Sequence, residues 1–200
     1  MSRPARRESG QAAPLYITAV AGLLFLALVF FAFGEADVRR NGAQSAADAS
    51  ALAAAQESRD QFEIDLRAHI LDRAYLTAVF NAPFAGTFNG CAQAARFAAE
   101  NDASRTDCRM LFDGRWGFQV GVRSNKGMST NLVPGTKGRR AEASSVALVE
   151  PRCRFVPNPD TTGVSPGTLF CDTRVWVIDP KDLAVLPDMD VLFSVRLAED

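Results

Sequence analysis

Hydrophobic and polar positions follow three successive patterns along this chain. The first is unbroken. Residues 14–34, PLYITAVAGLLFLALVFFAFG, contain no charged side chain. As a helix they rise about 31 Å at ~1.5 Å per residue, which matches a hydrocarbon core of roughly 30 Å. The run is apolar on every face, unlike a helix lying on a protein surface. Pro14 suits a first helical turn, where its missing N–H costs nothing. Tyr16 falls at headgroup depth, as interfacial aromatics do. The pattern predicts a transmembrane helix over 14–34. The rival reading is a cleaved signal peptide: arginines precede the run and Ala32-Phe33-Gly34 is a small-x-small site. Against it, signal peptides carry a shorter apolar core, about 7–15 residues.

The second pattern is helical and small. Between Glu35 and Phe80 there is no proline, and Gly42 is the sole glycine. Alanine, the best helix former, dominates from 43 to 55. Ala43, Ala46, Ala47, Ser50 and Ala54 recur at helical spacing and make a smooth face on which another helix, from this chain or a neighbour, could pack closely. Further on, Phe62, Leu66, Ile70 and Phe80 form a bulkier stripe, expected to cover the sheet that follows. Arg59, Asp60, Glu63, Arg67 and Asp72 lie opposite. Asn81-Ala82-Pro83 ends the helix, because the residue before proline disfavours the α region.

The third pattern has period two. After a loop at 84–90 and a short helix at 92–101, Trp116, Phe118, Val120 and Val122 alternate with Gly117, Gln119, Gly121 and Arg123, a strand with one buried face. A loop at 124–143 follows. Residues 146–149 and 153–156 read as a second strand interrupted at Pro151. A loop at 157–168 leads to a third strand over 169–178, ended by Asp179-Pro180. A fourth covers 191–198. The fold class is therefore α+β: a single N-terminal transmembrane helix continuing into a long helix, followed by a small antiparallel β-sheet domain. The expected divisions are a cytoplasmic tail at 1–13, the span at 14–34, the long helix at 35–82 and an extracytoplasmic α+β domain at 83–200.

Charge adds orientation. The chain is nearly balanced, with 22 Lys+Arg and 23 Asp+Glu, which gives no basic footprint for nucleic acid. Arg3, Arg6 and Arg7 precede the span, while Arg39 and Arg40 follow it closely; the positive-inside bias favours a cytoplasmic N-terminus by a small margin. The four cysteines, Cys91, Cys108, Cys153 and Cys171, all follow the span. Three pairings are open to them. The local pairs Cys91–Cys108 and Cys153–Cys171 are the expected ones, and disulfides would agree with an oxidising compartment.

Gly10-Gln11-Ala12 before the span, then Arg39-Arg40 and the run Ala43-Gln44-Ser45-Ala46-Ala47-Asp48-Ala49-Ser50-Ala51-Leu52-Ala53-Ala54-Ala55, resemble the TadE/TadG-like proteins of tight-adherence (Flp) pilus assembly. The resemblance covers about residues 7–56. It implies a membrane-anchored accessory of a pilus or secretion system with its C-terminal part exported. Larger members of that family carry a von Willebrand A-type domain with an Asp-x-Ser-x-Ser metal motif. Asp102-Ala103-Ser104-Arg105-Thr106 is a near match, but what precedes it reads as helix rather than as a buried strand. Pilins are cut after a glycine and usually carry glutamate five residues on. Counted from Gly10, that place holds Leu15, so this processing is not expected.

Chemistry is sparse. The single histidine, His69, lies on the long helix, away from any nucleophile signature. The chain lacks G-x-S-x-G, H-E-x-x-H and a phosphate-binding glycine loop. The cysteine spacing lacks the paired knuckles of a zinc site. Asp188 and Asp190 read as a solvated cap, and Lys137, Arg139 and Arg140 as a solvated loop that could touch anionic polymer or lipid headgroups. No catalytic residue, cofactor or metal is expected. The expected partners are the membrane and other pilus or secretion assembly proteins, with a homo-oligomer through the small-residue helix face as a further candidate. The alternative is an anchored extracytoplasmic binding or sensing module, with a pocket among the loops at 124–143 and 157–168.

Overall fold

The computed structural model of the chain describes residues 12–129, 135–160, 164–172, 174–182 and 186–198. The expected tail at 1–13 thus lies almost wholly outside the described residues. A single helix, α1 (Ala12–Ala68), runs without a break from the apolar span into the folded domain. Its surroundings change along its length. Leu15, Phe25, Phe30 and Phe31 are exposed, whereas Ala46, Ala47, Ser50, Ala51 and Ala54 are completely buried.

The helix does not continue to Phe80 as its composition suggests. It ends at Ala68, and a turn leads to Asp72, which caps a separate helix, α2 (Arg73–Asn81). The Asp72 carboxylate accepts from the Ala74 and Tyr75 N–H groups at 2.8 and 3.1 Å. Asp72 was read as part of a polar face; its actual role is to satisfy the orphan donors of a new helix start. α2 folds back against α1. Tyr75 stacks on His69 with ring centroids 4.7 Å apart. The end of α2 at Asn81 agrees with the expected proline stop.

α3 (Cys91–Glu100) crosses α1 in the opposite direction. Its start lies on Ala54: a Cβ built on Gly90 would overlap the Ala54 carbonyl, so only glycine permits this approach. Its end lies beside Gly42 and Ala43, which share a cleft with Asn101 and Asp102.

Two antiparallel sheets follow. The larger contains β1 (Ala103–Met110), β2 (Gly117–Ser124), β3 (Glu142–Pro151) and β7 (Phe193–Leu197), in the order β1-β2-β3-β7. The smaller contains β4 (Cys153–Pro157), β5 (Gly167–Cys171) and β6 (Val175–Val177). Here the structure corrects the reading of one sheet with four strands. β1 was missed: its residues, ASRTDCRM, show no alternation because it is an edge strand, mostly exposed on both faces. The segments around Pro151 are not one interrupted strand. They belong to different sheets, with Arg152 as the corner residue, its N–H donating to the Leu192 carbonyl at 2.8 Å. Residues 169–178 form a hairpin rather than one strand. The last alternating run begins with a single helical turn, α4 (Met189–Leu192), which takes Val191 out of the strand and leaves it exposed.

The larger sheet lies against the second half of α1. Phe118, Val120, Val122, Ala147 and Val149 are buried on its inner side. From Ala43 to Phe62 the helix rises about 28 Å at ~1.5 Å per residue, and from Trp116 to Ser124 the strand covers about 27 Å at ~3.4 Å per residue. Helix and strand match in length, so the small-residue stretch and the sheet are coextensive.

Candidate functional site

Two surfaces of α1 carry the functional question: the bare apolar half and the small-residue half. The bare half includes a window with mean hydropathy 2.5, none of it buried, that is long and apolar enough to cross a membrane. Thr18 is the one hydroxyl within this run apart from Tyr16, and its Oγ1 donates back to the Pro14 and Leu15 carbonyls at 3.0 Å. That internal partner is what a hydroxyl needs where no water is available.

The small-residue half is filled by the chain itself. Ala43 is 1% exposed and Ala46, Ala47, Ser50 and Ala54 are 0%. α3 lies on one side and the larger sheet on the other. Ser50 Oγ donates to the Ala46 carbonyl at 2.6 Å, so its burial leaves no orphan donor. A second copy therefore cannot reach this face while the domain is folded. The homo-oligomer expected through it is corrected on that ground: the face is occupied by α3 and the sheet.

The bulky stripe ends in an aromatic cluster. Phe62 lies 5.0 Å from Trp116, 5.2 Å from Phe84 and 6.0 Å from Phe193, mostly edge-on or tilted. Such geometries are favoured by ring quadrupoles. Ser58 closes the polar account: its hydroxyl donates to the Phe88 carbonyl at 2.6 Å and accepts from Trp116 Nε1 at 2.9 Å. Sequence reasoning singled out Trp116 but not Ser58. It also missed the wider role of Asn81, whose side-chain amide pairs with both backbone groups of Phe155, at 2.7 and 3.0 Å, and so docks α2 on β4. Asn81 had been read only as a helix stop.

Both local disulfides are present. Cys91–Cys108 joins the start of α3 to β1, and Cys153–Cys171 links directly paired residues of β4 and β5. His69 is half-exposed, and its Nδ1 lies 2.9 Å from the Asp65 carbonyl oxygen. Burial, with a hydrogen bond to Asp65 at 2.5 Å, raises the Tyr75 pKa further into the alkaline range. Asp102 of the near metal motif accepts from Lys126 Nζ at 2.9 Å, so an ammonium already lies where a cation would be needed. No cluster of three metal-ligating side chains occurs among the described residues. Asp188 stands exposed at the N-cap position of α4, where a solvated cap is expected, though its side chain makes no cap hydrogen bond.

An apolar cleft of about 150 Å³ lies among Val79, Phe84, Trp116, Val149 and Phe193. The charges at its rim are paired. Arg115 holds the Asp113 carboxyl below the usual range through hydrogen bonds at 2.6 and 2.9 Å. Arg196 does the same to Glu150. Among the described residues, the two long loops are held at places far apart along α1. The 124–143 loop reaches Glu35 through Ser129. The start of the 157–168 loop is held by Arg73, whose guanidinium donates to the Asn158 and Asp160 carbonyls at 3.2 and 2.8 Å. Glu35 and the end of α1 are about 50 Å apart at ~1.5 Å per residue.

The comparison with known families bears on the same helix. Residues 10–57 match the Tad family model, described as "Putative Flp pilus-assembly TadE/G-like". The N-terminal region is thus similar to the TadE/G-like family. The matched segment contains the apolar span and the whole small-residue stretch, and it ends where Ser58 and the aromatic cluster begin. No curated protein and no solved structure matches the chain.

Proposed function

We propose that the chain is a membrane-anchored accessory or structural component of a Tad/Flp-type pilus or secretion assembly. It acts through helix contacts in the membrane and protein contacts outside it. The family match over residues 10–57, on a helix whose first half is bare and apolar, carries this reading. The N-terminus is cytoplasmic and the disulfide-bonded domain extracytoplasmic. Support comes from the arginine bias before the span and from two disulfides, which persist in oxidising compartments. The helix also continues unbroken past Ala32-Phe33-Gly34, which favours a retained anchor over a cleaved signal. Partner helices in this reading contact the span, because the small residues from Ala43 to Ala54 pack the chain's own domain. A non-enzymatic role accords with the TadE/G-like match and with the pairing of the charged groups around the apolar cleft.

Co-purification tests the reading. Full-length tagged protein, solubilised from its own membranes in mild detergent, is expected to retain the secretion ATPase or the small pilins of the same cell. A deletion strain is expected to lose surface pili and to regain them with the full-length gene. Normal pili in the deletion strain, with no such partner recovered, would end the proposal.

A further inference from the structure

We propose that the two described arms of the loop between β2 and β3, residues 125–129 and 135–141, form a membrane-surface contact that docks on anionic phospholipid headgroups beside the point where α1 leaves the bilayer. The inference rests on reading residues 14–34 as the span. Glu35 is the first residue beyond that run, and its Oε1 accepts from the Ser129 N–H at 2.9 Å and from Ser129 Oγ at 2.8 Å. Ser129 is therefore held about 1.5 Å of helix rise beyond the apolar segment. The two arms of the loop are tied together: the Met128 N–H donates to the Arg139 carbonyl and the Gly138 N–H to the Met128 carbonyl, both at 2.9 Å. The Gly138 and Arg139 backbone therefore lies beside Met128, next to Ser129, and Lys137, Arg139 and Arg140 are all exposed.

The charge around this point is lopsided. Between residues 125 and 141 the sequence has four basic residues and no acidic one. Arg39 and Arg40 of α1 lie only about 8–9 Å of helix rise past Gly34. Four carboxylates lie nearby among the described residues, one of them Glu142, which is paired with Arg123 at 2.7 Å. Glu35 is engaged by Ser129 and lies 3.8 Å from Arg39, Asp102 is engaged by Lys126 at 2.9 Å, and Asp37 is exposed. The cationic excess remains on Lys137, Arg139 and Arg140. The backbone that carries these guanidinium and ammonium groups is tied beside Glu35, and charge is felt over a screening length of roughly 8–10 Å. Basic groups held this close to a membrane favour an anionic leaflet. The membrane is the polyanion that the covalent continuity of α1 keeps permanently adjacent, which favours it over a soluble one.

The test uses the full chain in lipid nanodiscs, one set of phosphatidylcholine and one containing phosphatidylglycerol. Amide hydrogen exchange is read over 126–129 and 135–141. Exchange there is expected to slow several-fold in the anionic discs at low salt and to return to the neutral-disc rate at high salt. Lys137→Glu, Arg139→Glu and Arg140→Glu together are expected to remove the difference while leaving exchange in β2 and α3 unchanged. The milder pair Arg139→Gln and Arg140→Gln should reduce it. Equal exchange in both discs, or an undiminished response in the charge-reversed chain, overturns the proposal. So does equal protection by soluble polyphosphate added to neutral discs. Failure of the chain to enter discs at all sinks the span reading instead, and this proposal with it.

Discussion

The two halves of α1 are one continuous helix, yet they are built for opposite surroundings. The first half presents Leu15, Leu23, Phe25, Leu26, Phe30 and Phe31, all more than half exposed. The second half buries alanines and serines completely. In a water-soluble protein the large apolar side chains would be inside and the small ones tolerated anywhere. Here side-chain size divides the helix, bulky where it is bare and small where it is packed. Lipid tails receive bulky groups without cost, whereas a helix caught between α3 and a sheet needs short side chains so that backbones can approach. Gly90 against the Ala54 carbonyl is the closest case. The boundary falls near Ala43, several residues past the end of the apolar run. Glu35, Asp37, Arg39 and Arg40 occupy the gap.

This contrast can be broken at matched positions. The largest effect is expected from Phe62→Ala, which empties the centre of the aromatic cluster. It should cost about 3–5 kcal/mol, the usual range for a buried aromatic, seen as a large drop in the melting temperature of the domain by near-ultraviolet circular dichroism. Phe30→Ala, on the bare half, should leave that melting temperature where it was. Next comes the disulfide joining α3 to β1. Cys91→Ser with Cys108→Ser should lower stability by roughly 2–4 kcal/mol, while insertion into membranes persists. Ala47→Leu against Ala27→Leu is the cleanest pair, because the same substitution is made on both halves. The first should cost about 1–3 kcal/mol through overpacking. The second should be silent for the domain melt. Equal effects at the two positions would refute the division of the helix.

Much of this division could be read from the sequence, and what could not has physical causes. The bare apolar half was legible as a helix long enough to cross a membrane because it excludes charge over 21 residues. The small-residue face was legible as a packing surface, since alanine and serine at helical spacing have few other uses. What fills it was not, because α3 and the sheet arrive from 40 to 100 residues away in sequence. The stripe Phe62, Leu66, Ile70 and Phe80 is buried as expected, but a turn intervenes that neither proline nor glycine announces. Asp72 followed by a run of helix formers was the available signal. β1 was invisible because an edge strand exposed on both faces has no period-two pattern. The second sheet was hidden by continuity. Only Arg152 separates β3 from β4, and alternation alone cannot reveal that a chain has turned a corner. Ser58 and Asn81 carry hydrogen bonds decided by tertiary placement, so their local context gave no sign.

The smallest expected effect concerns acid, and it again separates the halves. The apolar run from Pro14 to Gly34 has no carboxylate, so any loss of stability on acidification must arise in the domain. Glu150 on β3 is the group to follow. Arg196 on β7 donates to both of its oxygens, at 2.6 and 2.7 Å, and this hydrogen bonding lowers the Glu150 pKa below its ordinary value. A carboxyl whose pKa is depressed by folding adds stability at pH above its unfolded value, near 4.3, and loses that contribution as pH falls through the folded value. Both side chains are more than two-fifths exposed, at 43% and 49%. Water and salt therefore screen the pair, and the contribution should be only a few tenths of a kcal/mol. Glu150→Gln should accordingly lower the melting temperature slightly at pH 7, and the difference from the parent should vanish below about pH 3. High salt should shrink the pH 7 difference as well. A difference that persists undiminished in acid would assign the effect of Glu150 to packing beside Trp116 and Phe193 rather than to its charge.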